Sequence, residues 1–325
     1  MTASPRPLVL ICLVALSGLA LSALAGCDLP AGAPVQKAAT AAPRPDPAPL
    51  PPVVTAVSAQ SLAMRDYYAT VQTGLLMQGM LRTDRGGPDT PFTDRNLAEN
   101  FLQVALFDEY ADSGTALVAK VTPSHLRRWR EPVRLAVEFG ASVPLAQRGK
   151  DVARIAAFAS ELTAASGHSV SMDPAAANFH VLVLNEDERQ AIGPRLRALV
   201  PGVSQTDISA LSALPRDTYC VVFAYSSAVP GLYNRAIAVI RGEHPDLLRL
   251  TCIHEELAQG MGLANDSPRA RPSIFNDDEE FALLTRQDAL MLKMLYDPRF
   301  RPAMTLEEAR PIAETIAAEL MGDES

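Results

Sequence analysis

Three side chains near the end of the chain could act together: Glu255, Glu256 and Gln259, in the stretch HEELAQGMGLANDS (254–267). On a helix, positions four apart share a face, so Glu255 and Gln259 stand one above the other, and Gly262 follows three residues on. Leu250, Ile253, Leu257 and Met261 fall on another face and read as core. Adjacent glutamates push each other's pKa upward. Beside a buried glutamine they are costly unless paired or bound to a metal. Oxygen and amide donors suit calcium, magnesium or manganese, whereas imidazole and thiolate suit zinc. The same residues also admit a metal-free reading, in which a polar hydrogen-bond network takes the place of a cation.

The other candidates read as structural. His254 has Ala258 four residues on, not a second histidine, so it reads as a cap or packed side chain, as do His180 and His244. The acidic run NDDEE (276–280) reads as a solvated loop. Ser267 and Ser273 lack the G-x-S-x-G setting of a serine nucleophile. No glycine motif that would cradle phosphate is present. The basic cluster RRWRE, with Arg127, Arg128, Trp129 and Arg130, reads as a solvated helix face carrying one half-buried tryptophan.

The elements that must position the glutamates follow from periodicity and caps. Helices are predicted from Gln60 to about Leu81 and from Asp94 to Tyr110, the second capped by Thr93. Strands are predicted at 116–121, 133–140, 178–184, 218–226 and 235–242, and a helix at 149–167 that stops at Gly167. Residues 186–201 read as helical or mixed. The motif helix opens at Pro245 and Asp246 and breaks at Gly262. Another helix starts at Thr285. Thr305 with Glu308 forms a capping-box pattern for the last one, although Pro311 offers a competing start. N-terminal helices followed by strands, a motif helix and closing helices make an α+β domain with a mixed sheet.

One residue along from His254, the motif resembles the helix of the metzincin zinc proteases, matrixins above all, which use His-Glu-x-x-His-x-x-Gly-x-x-His-Asp. Glu255 then stands at the first histidine and Glu256 at the catalytic glutamate. Gln259 stands at the second histidine, Gly262 at the turn, Asn265 at the third histidine and Asp266 at the residue after it. PSIFND (272–277) resembles the segment around the Met-turn, with Phe275 near the methionine, and LLTRQDALMLKMLYD (283–297) resembles the closing helix. The similarity covers roughly 133–297 and implies a zincin-like mixed sheet with a motif helix. The whole chain is more closely similar to an uncharacterised family of bacterial envelope proteins. All three ligand positions depart from the pattern, so Glu255, Gln259 and Asn265 form a degenerate metal set. No cofactor is expected. A hard divalent cation is the metal these donors would accept, and zinc is not expected. The reading is a non-catalytic binding or scaffold module. Its alternative is a peptidase-like metallohydrolase with Glu256 as general base.

The ends and cysteines give the setting. Residues 1–26 carry Arg6 and then an uncharged apolar run, which reads as a secretory signal. The run closes on Leu24-Ala25-Gly26-Cys27, which resembles a bacterial lipobox and implies a lipid-bearing Cys27 in a membrane. By the same resemblance Asp28 favours the inner membrane, and the chain is an envelope lipoprotein facing the periplasm. Residues 27–57 form a Pro/Ala-rich tether, and 58–325 form the single domain. Cys220 and Cys252 remain as an even pair in an oxidising compartment. A disulfide between them closes a loop of roughly 33 residues, for a stabilisation on the order of 3–4 kcal/mol. Two buried free thiols are the alternative. Loss of the signal removes Arg6 and no acid, so the net charge moves from −8 to −9. An acidic chain gains nothing from phosphate backbones, so nucleic acid is excluded as a partner. A peptide or envelope protein is the partner expected besides the membrane.

Overall fold

The computed structural model describes residues 56–322 apart from 113–116, 227–228 and 277, and the side chains of 110–119 are likewise left aside. The signal segment, Cys27, Asp28 and nearly all of the tether lie outside the described residues.

In chain order come α1 (Ala59–Met77), α2 (Asp94–Ala105), the hairpin β1 (Phe107–Asp112) and β2 (Leu117–Pro123), the two-residue β3 (Arg128–Trp129), and β4 (Val133–Phe139). Then follow α3 (Leu145–Ser166), β5 (Val170–Met172), β6 (Phe179–Leu184), α4 (Glu186–Gln190), α5 (Gly193–Leu199) and α6 (Gln205–Ser212). The rest is β7 (Cys220–Ser226), β8 (Leu232–Arg241), α7 (Asp246–Gln259), α8 (Arg286–Leu295) and α9 (Leu306–Gly322). The fold is α+β, with a mostly parallel sheet and helices at its N-terminal end.

The sheet runs β5, β4, β6, β8 in parallel, and β7 lies antiparallel along β8. Val181–Leu184 of β6 and Ala236–Ile240 of β8 are continuous apolar runs because both of their faces are covered. One face packs with α2, α3, α7, α8 and α9 in a core that includes Phe101, Phe158, Phe179 and Phe300. The other face packs Leu182, Val221, Ile237 and Val239 against Leu196 of α5 and Leu211 of α6. β7 therefore alternates. Cys220, Val222 and Ala224 point toward the α7 side, and Val221, Phe223 and Tyr225 toward the α5–α6 side.

The caps hold where the sequence places them. Thr93 Oγ1 accepts from Asn96 N at 3.2 Å, and α3 ends on Gly167 at φ +71°. Thr285 caps α8. At α9 the Thr305–Glu308 box sets the start, and Pro311 sits inside the helix.

Two expectations are corrected. Residues 107–110 belong to β1 rather than extending α2, because the chain leaves the helix at Leu106 to form the hairpin. RRWRE is no solvated helix face. Trp129 is fully buried on a strand, and the Arg128 guanidinium donates to the carbonyls of Leu295 (2.8 Å), Asp297 (3.1 Å) and Phe300 (2.7 Å). Between 202 and 217, where the sequence assigns no element, stands α6.

Asp288, at the start of α8, is fully buried and gathers the loop before it. Its Oδ1 accepts from Ser273 Oγ at 2.5 Å, and its Oδ2 accepts from Ile274 N at 3.0 Å and from Thr285 N and Oγ1 at 2.8 Å. Replacing it leaves several buried donors without an acceptor. We therefore expect Asp288→Ala to lose about 3 kcal/mol of stability, read by urea unfolding.

Candidate functional site

α7 is amphipathic at its start but is enclosed almost all round by its end. Ile253, Leu257 and Met261 are fully buried, while Leu250 is only half-buried. Gly262 turns the chain at φ +124°, and a Cβ there would meet the Arg127 carbonyl oxygen at 2.2 Å. The backbone crossing at Arg127 thus admits only glycine at this turn. Cys252 on α7 and Cys220 on β7 have their sulfurs 2.00 Å apart, at disulfide distance, which joins strand to helix.

The uncovered face of α7 floors a cleft of about 560 Å³. Asp217 to Tyr225 line it without a break, so one wall is β7 along its whole length up to Tyr225. Asp108 and Glu109 of β1, Arg127, Ala264 and Asp266 also line it. Asp207 stands beside Tyr225, whose hydroxyl donates to it at 3.2 Å. Glu255, Glu256 and Gln259 project from the floor, and Tyr233 and Glu279 complete the lining. Eight of these residues are acidic and one, Arg127, is basic; Arg127 is paired with Asp108.

The glutamate pair is electrostatically costly. Burial, then the charges of Asp266, Glu279, Glu256 and Glu109, holds the Glu255 carboxyl well above the usual carboxylate range. Burial, then Glu109 and Asp266, does the same to Glu256. Glu256 is 2% exposed, and its Oε2 is buried without a hydrogen-bond partner. A carboxylate oxygen of Glu255, one of Glu256 and Cys220 Sγ lie within 4.8 Å of one another.

The other motif residues divide. Gln259 faces the cleft, and its Nε2 donates to Asp266 Oδ1 at 3.0 Å. Asn265 does not join them. It is buried, with Nδ2 donating to Gln103 O at 3.0 Å, and it fixes the end of α2. The structure thus brings Asp266, rather than Asn265, to Glu255 and Gln259. His254 leaves by the opposite side of α7. Its Nδ1 accepts from Leu284 N at 3.1 Å, its ring packs on Phe158, and burial pushes its pKa down to about 3. His180 contacts Glu138, and His244 is buried against Tyr68 and Tyr219. In the acidic run, Glu280 pairs with Arg82 and Arg271, while Glu279 reaches the cleft. Asp108, Glu109 and Asp207 escape the sequence reading because β1 resembles a helix end and α6 carries no strong periodicity.

The chain belongs to a family described as a protein of unknown function (DUF2927), whose match spans residues 94–315. Every residue lining the cleft falls inside that span, and α1 lies outside it. No curated protein and no solved structure matches the chain.

A raised carboxyl pKa means that the folded state keeps a proton that the unfolded state has released. Stability is then fully present below the unfolded value and is lost as pH rises through the folded one. Glu256→Gln removes that loss. We expect the variant, without added cations, to be more stable than wild type at neutral pH by ~1–3 kcal/mol, with the difference vanishing near pH 4, as read by thermal melts across pH.

Proposed function

We propose that this DUF2927 member is a membrane-anchored envelope lipoprotein whose domain is a non-catalytic, degenerate zincin-like binding module. Its cleft receives an extended, basic peptide segment. One observation carries the reading: β7, which among the described residues pairs only with β8, runs along a cleft dominated by carboxylates. A peptide laid on the outer edge of β7 gains backbone hydrogen bonds, and side chains at alternate positions enter the pockets beside it. Lysine and arginine side chains are the ones that meet Glu255, Glu256 and Asp266 with complementary charge. The zincin-like part of the reading is supported by the order β4, α3, β5, β6, β7, β8, α7, with α4 to α6 inserted between β6 and β7, and by the Gly262 turn.

The zinc of a metzincin does not fit these donors. Glu255 and Gln259 stand where imidazoles belong, the Gln259 amide is engaged with Asp266, and Asn265 is turned to Gln103. No catalytic step follows from a zinc there. A second reading, hydrolysis with Glu256 as general base on a hard cation, is favoured by one feature, the unpartnered Glu256 Oε2. It would show as peptide cleavage that Glu256→Gln abolishes.

Fluorescence anisotropy with labelled extended peptides tests the binding reading. Lysine- or arginine-bearing peptides should bind, more weakly as salt rises, while alanine or glutamate versions should not. Glu255→Gln with Glu279→Gln should weaken binding about tenfold, ~1.4 kcal/mol. Equal binding of basic and acidic peptides would remove the basis of the proposal. For the anchor, Cys27→Ala should leave an unlipidated precursor that retains residues 1–26, read by mass spectrometry. Intact residues 1–26 on the mature wild-type protein would refute the lipoprotein assignment.

A further inference from the structure

The geometry points to a metal site that exists only after the Cys220–Cys252 bridge is reduced: Cys220 thiolate, Glu255 and Glu256 together bind a borderline divalent cation of the zinc class. In the bridged protein the two carboxylates offer oxygen alone, which does not suit zinc. The sulfur already stands in position. Cys220 Sγ lies 4.0 Å from Glu255 Oε2, and the three donor atoms fall within 4.8 Å of one another. One cation could draw all three to bonding distance with small side-chain movements. The buried, unpartnered Oε2 of Glu256 is the second sign that a ligand belongs there.

The donors do not depend on the bridge for their placement. β7 is held to β8 by its own ladder, with Cys220 opposite Ile240, and α7 is held by the core around Ile253 and Leu257. Cutting the bridge therefore frees a thiolate without dispersing the cluster. A zinc-class dication would also offset the repulsion between the two glutamates, which the bridged form leaves in place.

The chemistry balances with a dithiol as reductant. One thiolate of the dithiol attacks the sulfur of Cys220, a residue on the cleft wall that is 9% exposed, while Cys252 is 1% exposed. Cys252 leaves as a thiolate and takes a proton; its sulfur is 3.7 Å from His244 Nδ1, a ready acceptor for the thiol hydrogen. The second thiolate of the dithiol then displaces Cys220 and closes the reductant to a disulfide. Two electrons pass to the protein. Of the two dithiol protons, one ends on Cys252, and the other is released to solvent when Cys220 binds the cation as thiolate.

The test uses the full chain with Cys12→Ser and Cys27→Ser, so that only this pair of cysteines remains. Cobalt(II) is the probe because sulfur ligation gives a thiolate-to-cobalt charge-transfer band in the near ultraviolet. Zinc affinity is read by competition with a chromophoric chelator. The band should be absent from the bridged protein and should appear on reduction, with zinc bound at least about a hundredfold more tightly. Cys252→Ser, which cannot form the bridge, should show the band without reductant. Cys220→Ser should show it under neither condition, and Glu256→Gln should weaken zinc about tenfold or more. If Cys252→Ser does not fold, reduced protein with both cysteines carries the same test. Equal affinity before and after reduction, or cobalt bound without a sulfur band, overturns the assignment. Neither result bears on peptide binding by the bridged cleft, which is measured without metal.

Discussion

α7 is enclosed on every side but one, and a helix so enclosed must hand its polar groups to its neighbours. At its first turn the Leu248 amide, an orphan donor in any helix, meets Gln72 Oε1 of α1 at 3.0 Å. Arg249 gives its guanidinium protons to the carbonyls of Gly242 and His244. At the far end the Trp129 indole N–H satisfies the Gly260 carbonyl at 2.8 Å. The sheet, the loop after Gly262 and α1 are all fitted to this one rod, whose bare face carries the glutamate pair.

The same chain buries a carboxylate in two opposed ways. Glu186 lies between Arg189 at 2.6 Å and Arg241 at 2.7 Å, and these contacts hold its pKa below the usual value despite burial. Charge and counter-charge are complete within the protein, and Glu186 reads as structural. Glu255 and Glu256 are surrounded by further acids, and their pKa values move the other way. The fold compensates one buried glutamate fully and leaves two others against like charges at the floor of a cleft; that contrast is what singles out the second pair as the candidate site.

Much of this architecture was legible from spacing. The central strands and α3, α7 and α8 follow their apolar periods, and threonine caps mark α2, α8 and α9 to the residue. The elements that were missed are short or are decided by distant contacts. β3 is two residues long and exists because Leu232 and Tyr233 pair with it. β1 continues an apparently helical pattern that only its hairpin partner breaks. At the site, the i, i+4 relation of Glu255 and Gln259 was visible, but the choice between Asn265 and Asp266 was not. Adjacent loop residues point in different directions according to which backbone they meet, and Gln103 on α2 decides it here. The acids of β1 and α6 had no local signal, because a cleft wall is assembled from segments far apart in the chain.

α1 sits outside the span shared with the family, yet it is built into the domain. Its Gln72 grips the first turn of α7, and its Tyr68 packs edge-on against His244 while donating to the Arg216 carbonyl at 2.9 Å. In mechanical terms, α1 is a brace: it holds both the segment entering the cleft-floor helix and the loop entering β7, so the floor and one wall of the cleft share a single support.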